Sequence, residues 1–103
     1  MEFTMSTREL PDQVVMALDG ELDLSSKERV ATRVDQLLAA GHTSIRADLS
    51  GLTFCDSSGL AVLIRAKRLC ESAGGSFGIF GAVGEVANLL RITGLDVALR
   101  LEV

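Results

Sequence analysis

Apolar residues recur along this chain with two different periods, and their order predicts strands that alternate with helices. Residues 3–9 have a weak strand pattern, and residues 13–18 form a short apolar run that the turn-forming pair Asp19 and Gly20 should close. We expect these two segments to pair as a hairpin through residues 10–12.

The next segment has the signals of a helix. Residues 25–28, Ser-Ser-Lys-Glu, have the spacing of a capping box, and Gly41 is a natural stop signal. Between them, apolar side chains recur at helical intervals at Val30, Val34, Leu37 and Leu38.

A strand is predicted at residues 44–49, where Ile45, Ala47 and Leu49 share one face and charged residues take the other. The extended segment continues to a corner with the sequence Asp-Ser-Ser-Gly, residues 56–59, and enters a helix. That helix should run to about Ala73, where a pair of glycines follows.

Three further elements complete the predicted fold. Residues 76–80 indicate a strand, residues 83–92 have a helical pattern that ends at Gly94, and the alternation over residues 97–103 predicts a last strand. The order favours an α/β domain, with a mixed sheet of about five strands and helices packed on it. With 103 residues, the chain has room for a single domain over residues 1–103.

Composition narrows the class of partner. Hydrophobic residues make up 48% of the chain, as in a globular protein, and the net charge of −4 argues against nucleic acid. No stretch has the pattern of a secretion signal or a membrane span, so we expect a cytoplasmic protein that does not bind membranes. Cys55 and Cys70 are interpreted as reduced, small hydrophobic residues.

The corner is where we look for function. At the start of a helix, backbone N–H groups lack intrahelical partners and the helix dipole is positive, so oxygen acceptors and negative charge are stabilised there. Asp56, Ser57 and Ser58 occupy these positions.

The helix that follows the corner has two kinds of surface. About 100° of rotation per residue places one apolar arc on the sheet, and Gly59 within that arc allows close approach. A second arc holds Ser57, Leu60, Ile64 and Arg68. These two aliphatic side chains are either covered by a neighbouring loop or scattered on the surface, or they form a docking patch with Ser57 at its edge.

Four segments carry a resemblance to a known family. They are residues 20–23, 48–54, 56–60 and 90–95, with the sequences Gly-Glu-Leu-Asp, Asp-Leu-Ser-Gly-Leu-Thr-Phe, Asp-Ser-Ser-Gly-Leu and Leu-Arg-Ile-Thr-Gly-Leu. In these segments the chain resembles the STAS domain, and specifically the free-standing bacterial anti-sigma factor antagonists.

The resemblance implies a function. Ser57 matches the serine that the cognate anti-sigma factor, which is also a serine kinase, phosphorylates in this family. Unphosphorylated antagonist captures the anti-sigma factor and frees the sigma factor for transcription, and a metal-dependent serine phosphatase reverses the modification. Asp23 and Asp56 match acidic positions near that serine. The expected partner-binding residues are Asp23, Asp56, Ser57, Gly59, Leu60, Ile64 and Arg68.

Some roles stay open at this point. Asp23 could instead cap the first helix, Asp56 could cap the corner helix while orienting the hydroxyl, and Ser58 is interpreted as a capping or packing residue. Arg46 departs from the family pattern and suggests a more exposed sheet face. Val103 stands where family members continue into a helix, so we expect a shortened chain or an uncovered sheet edge.

Nothing in the sequence argues for catalysis. His42, the one histidine, follows the predicted helix stop and is interpreted as a solvated loop residue. We find no metal-ligand cluster, nucleophile–base pair or phosphate loop, so we expect no enzyme activity, metal or cofactor. We expect a monomer or weak dimer. The alternative function is a scaffold or nucleotide-responsive STAS subunit of a larger transport or stress-sensing complex.

Overall fold

The computed structural model describes residues 2–102. Four strands form one sheet in the order β1-β2-β3-β4, with β1 antiparallel to β2 and the other two pairs parallel. The strands are β1 (Thr4–Glu9), β2 (Val14–Leu22), β3 (Ser44–Cys55) and β4 (Ser76–Phe80). The α/β class and the N-terminal hairpin are therefore confirmed, with four strands where about five were expected.

Three of the four helices follow the predicted pattern. They are α1 (Lys27–Ala39), α2 (Ser57–Ser72) and α3 (Gly84–Thr93), and a single turn of helix, α4 (Leu95–Ala98), comes after them. Gly41 and Gly94 have φ values of 91° and 76°, the left-handed conformation that glycine adopts at little cost. The predicted stop signals thus end α1 and α3.

The core lies on one face of the sheet. In β2, Val14, Met16 and Leu18 are at most 1% exposed, whereas Val15 and Ala17 on the opposite face are half-buried. Buried side chains of α1, α2 and α3 join the same cluster, so the helices cover that face. No helix within residues 2–102 combines the length and apolar character needed to cross a bilayer.

The prediction that Asp19 and Gly20 close a strand is wrong, because β2 continues to Leu22. Gly20 has φ 98° inside the strand, and the pairing of β2 with β3 shifts register on either side of it. A glycine in this conformation allows a bulge, so the strand bends and continues where a turn was expected.

The predicted last strand is also wrong. Backbone N–H groups of Ala98 and Leu99 donate to the carbonyl oxygens of Gly94 and Leu95, which is a helical pattern. Leu95 is half-buried and Leu99 is fully buried, and residues four apart share one face of a helix. Val97 points away and is 80% exposed.

Beyond this helical turn, Glu102 makes the one β-bridge that the described part of the segment contains, to Phe80. The end of the predicted strand, Val103, lies outside the described residues. Arg46 stacks 4.7 Å from the centroid of the Phe80 ring and pairs with Glu102 at 2.8 Å. These contacts explain the charged residue in β3, which lies on the half-buried face of the sheet.

His42 lies in the loop after α1, with its side chain 33% exposed, as a loop residue should be. Its Nε2 atom is 2.6 Å from Oε1 of Glu9 at the end of β1.

The two interpretations of the last segment predict different stabilities. In a strand, residues 97 and 99 would share a face, whereas in the helical turn only Leu99 is buried. We expect Leu99→Ala to lower the free energy of unfolding by about 2–4 kcal/mol and Val97→Ala by less than about 0.5 kcal/mol, measured by urea denaturation. Equal losses at the two positions would contradict the helical turn.

Candidate functional site

The ends of two parallel strands place the predicted site residues at one edge of the sheet. Leu22 and Cys55, the last residues of β2 and β3, are paired, so Asp23 and Asp56 follow at the same edge. The backbone N–H of Asp56 donates to the carbonyl oxygen of Leu22 at 3.3 Å. The structure therefore brings together Asp23 and the Asp56–Ser57 corner, which are 33 positions apart in the sequence.

Asp56 is the N-terminal cap of α2. Its backbone is extended, and its Oδ1 atom accepts hydrogen bonds from the N–H groups of Ser58 at 2.9 Å and Gly59 at 3.1 Å. This is the usual way to satisfy the unpaired donors at a helix start, and it confirms the capping interpretation.

Ser57 is the first residue of α2, and its side chain is exposed. Within residues 2–102 its hydroxyl makes no hydrogen bond. Ser58 is half-buried and lines a groove between α1 and α2 that Lys27 and Arg65 also line. Its position agrees with the packing interpretation.

Gly59 is buried where α2 packs most closely on the sheet. A Cβ atom at this position would lie 2.6 Å from the carbonyl oxygen of Leu22 and 2.7 Å from Sγ of Cys55. The predicted close approach is confirmed. Since it is covered by Leu22 and Cys55, Gly59 positions the helix, and its place among the partner-binding residues stays a prediction.

Asp23 orders the turn before α1. Its Oδ1 atom accepts hydrogen bonds from the Ser25 hydroxyl at 2.7 Å and the Ser25 backbone N–H at 2.9 Å. The Ser25 hydroxyl is the main reason that the pKa of Asp23 lies below its ordinary value, so this carboxylate keeps its charge to a lower pH than a free aspartate does. The predicted capping box is wrong, because Ser25 bonds Asp23 and no side chain caps α1.

The predicted arc of exposed residues on α2 needs a correction. Leu60 is only 8% exposed and belongs to the core, Ile64 is half-buried and Arg68 is exposed. Since α2 contacts α1 as well as β3 and β4, it buries a wider stripe than one arc facing a sheet. Leu60 is therefore not an exposed docking residue, whereas Ile64 and Arg68 stay predictions.

The sequence interpretation missed other apolar residues at this end of the molecule. Phe54 is 43% exposed and Ile92 is 73% exposed, although both belong to periodic apolar segments. They line a groove of about 310 Å³ between β3 and α3, here called the β3–α3 groove, whose lining is Phe54, Cys55, Glu85, Asn88, Leu89 and Ile92.

Both cysteines are free and buried, as small hydrophobic residues should be. Burial, together with the nearby Asp56 carboxylate, raises the pKa of the Cys55 thiol to about 12, and burial also raises the pKa of Cys70. These thiols stay protonated near neutral pH. Among the residues that the structure describes, no group of histidine, cysteine and acidic side chains could hold a metal ion.

The Asp56 cap can be tested directly. Asp56→Ala removes the acceptor of two backbone N–H groups, so we expect a loss of about 1 kcal/mol in the free energy of unfolding. Asp56→Asn keeps an acceptor oxygen, so its free energy of unfolding should fall by only a few tenths of a kcal/mol. Urea denaturation of both variants measures this, and an Asp56→Ala variant as stable as wild type would contradict the cap.

Comparison with known proteins agrees with the fold and indicates the family. The family described as "Mlab, STAS domain" matches residues 5–101. The anti-sigma F factor antagonist of Paenibacillus polymyxa is 30% identical over 83 residues, which cover 80% of this chain and 71% of the relative. That of Lysinibacillus sphaericus is 30% identical over 95 residues, which cover 91% and 79%.

Solved structures share the architecture. An anti-sigma factor antagonist from Mycobacterium paratuberculosis superposes with a TM-score of 0.84 at 24% identity, over 97% of this chain and 85% of that one. The Bacillus cell fate determinant SpoIIAA in its phosphorylated form has a TM-score of 0.74 at 22% identity, over 99% and 92%. The chain belongs to the STAS domain family, among the anti-sigma factor antagonists.

Proposed function

We propose that this chain binds an anti-sigma factor and that phosphorylation of Ser57 controls the binding. The observation that carries the proposal is the exposed Ser57 hydroxyl, without a hydrogen-bond partner among the described residues, on the first residue of α2. Two relatives at 30% identity are named anti-sigma F factor antagonists, which supports the class of partner.

In this proposal the unphosphorylated chain captures an anti-sigma factor that is also a serine kinase, and the sigma factor is released. The kinase phosphorylates Ser57, the complex separates, and a serine phosphatase restores the free hydroxyl. The chain itself acts by binding and catalyses none of these steps.

The local geometry supports a switch that leaves the fold intact. A phosphoserine adds about −1.5 to −2 charges, which the positive end of the α2 dipole accommodates. Asp56 already accepts from the N–H groups of Ser58 and Gly59, so the phosphoryl group on an exposed side chain extends toward solvent and any bound partner.

The same charge acts against the complex. The corner carries two carboxylates, Asp23 and Asp56, and the phosphoryl group adds to their negative charge. It would also keep water on a surface that must become dry when a partner binds. A loss of about 3 kcal/mol would weaken the complex more than a hundredfold, which is enough to reverse an exchange between competing partners.

We expect Ser57→Asp to abolish capture of the anti-sigma factor and Ser57→Ala to retain it, because only the aspartate introduces charge at the contact. The measurement is biosensor affinity for each purified anti-sigma factor encoded by the source genome. Ser72→Asp, at the far end of α2, is the control for added charge on the same helix. Equal affinity of the two Ser57 variants would contradict the charge mechanism.

The position of the phosphoryl group is tested by incubation with the captured kinase and ATP, followed by mass spectrometry. Modification at a residue other than Ser57 would overturn the assignment. Titration with GTP and ATP tests the alternative, a nucleotide-responsive or scaffold subunit of a larger complex.

A further inference from the structure

We propose that the anti-sigma factor inserts an apolar side chain into the β3–α3 groove and places a basic residue beside it. This inference rests on the proposed function, and it moves the apolar part of the docking surface from Leu60 on α2 to Phe54 and Ile92 on the other side of the corner.

Two of the exposed apolar residues meet in the β3–α3 groove, which also adjoins the corner in the chain. Among the described residues, six large apolar side chains are at least 36% exposed: Leu10, Leu24, Phe54, Val83, Ile92 and Val97. Two pairs of them share a groove. Phe54 and Ile92 line the β3–α3 groove, where half-buried Leu89 adds to the apolar wall, whereas Val83 and Val97 line a second groove that contains no residue of the corner. Exposed apolar residues that share a concave surface with polar residues at its rim are typical of a protein contact.

The groove is continuous with the switch. Phe54 and Cys55 line it, and Asp56 and Ser57 are the next residues in the chain. The Cys55 sulfur also lies against the first turn of α2 at Gly59. A partner that covers the Ser57 hydroxyl therefore reaches the groove without crossing another element.

Charge indicates the chemistry of the partner. Glu85 lines the groove, Asp23 and Asp56 lie at the adjoining corner, and the whole chain has a net charge of −4. Arg91, the one cation on α3, donates to the side-chain oxygen of Asn88 at 2.7 Å and keeps its positive charge beside the groove, so the carboxylates of Glu85, Asp23 and Asp56 outnumber it. An apolar side chain accompanied by lysine or arginine fits this surface, whereas an acidic partner would be repelled. Phosphorylation of Ser57 then adds charge to a surface that selects cations.

The test compares two apolar-to-acidic substitutions at similarly exposed sites. Ile92→Asp lies in the β3–α3 groove, and Val97→Asp lies on α4 in the second groove, with exposures of 73% and 80%. The probe is the purified anti-sigma factor that binds both the wild-type chain and the Ser57→Ala variant. We expect Ile92→Asp to raise Kd at least tenfold and Val97→Asp to change it less than twofold, with unchanged circular dichroism for both.

A second variant tests the charge. Glu85→Lys should raise Kd at least fivefold and reduce the dependence of binding on salt, because it removes the carboxylate that meets the basic residue.

If Ile92→Asp binds as wild type does while Ser57→Asp fails, the groove is not the docking site and the proposed function stands. If light scattering shows that Ile92→Asp converts a dimer to a monomer, the groove holds a second copy and the proposal is overturned. If none of the anti-sigma factors binds the wild-type chain, both proposals fail.

Discussion

The close packing of α2 on the paired ends of β2 and β3 determines the rest of the site. Gly59 lies directly against Leu22 and Cys55, and the N–H of Asp56 bonds the Leu22 carbonyl oxygen. Only one residue separates β3 from α2, so no flexible loop intervenes. A side chain at position 59 would overlap backbone and sulfur atoms and move the helix. The place of Ser57 is therefore set by the core.

A rigid corner suits a switch that acts through surface charge. The Asp56 carboxylate satisfies the first N–H groups of α2, and Ser25 donates two hydrogen bonds that hold the Asp23 carboxylate in place, so both negative charges are positioned before any partner arrives. The apolar contact area lies beside these charges, in the β3–α3 groove. The charged corner and the apolar groove are thus neighbours on one surface. Phosphorylation at the corner can therefore cancel the binding free energy gained when a partner buries the groove.

The sequence was sufficient where local rules decide the structure. Alternation at Ile45 and Ala47, the cap at Asp56 and the glycine stops depend on neighbouring residues alone, and each was predicted. The exposure of particular side chains depends on tertiary packing and was not predicted from the sequence. Flanking elements bury Leu60, and Phe54 and Ile92 stay exposed because nothing in the described fold covers them. The last segment was predicted as a strand because apolar residues occupy alternate positions at Val97, Leu99 and Leu101. The structure instead uses the four-residue spacing of Leu95 and Leu99, which fits a helical turn.

The central claim is that phosphorylation at Ser57 changes a contact surface and leaves the fold unchanged. The most direct measurement compares amide proton–nitrogen spectra of the ¹⁵N-labelled chain with serine and with phosphoserine at position 57. The account predicts shifts confined to the corner, Asp23 and the residues that line the β3–α3 groove, with β1, β4 and the second half of α1 unchanged. Shifts spread throughout the sheet and α1 would show that the fold itself responds, and they would contradict the account.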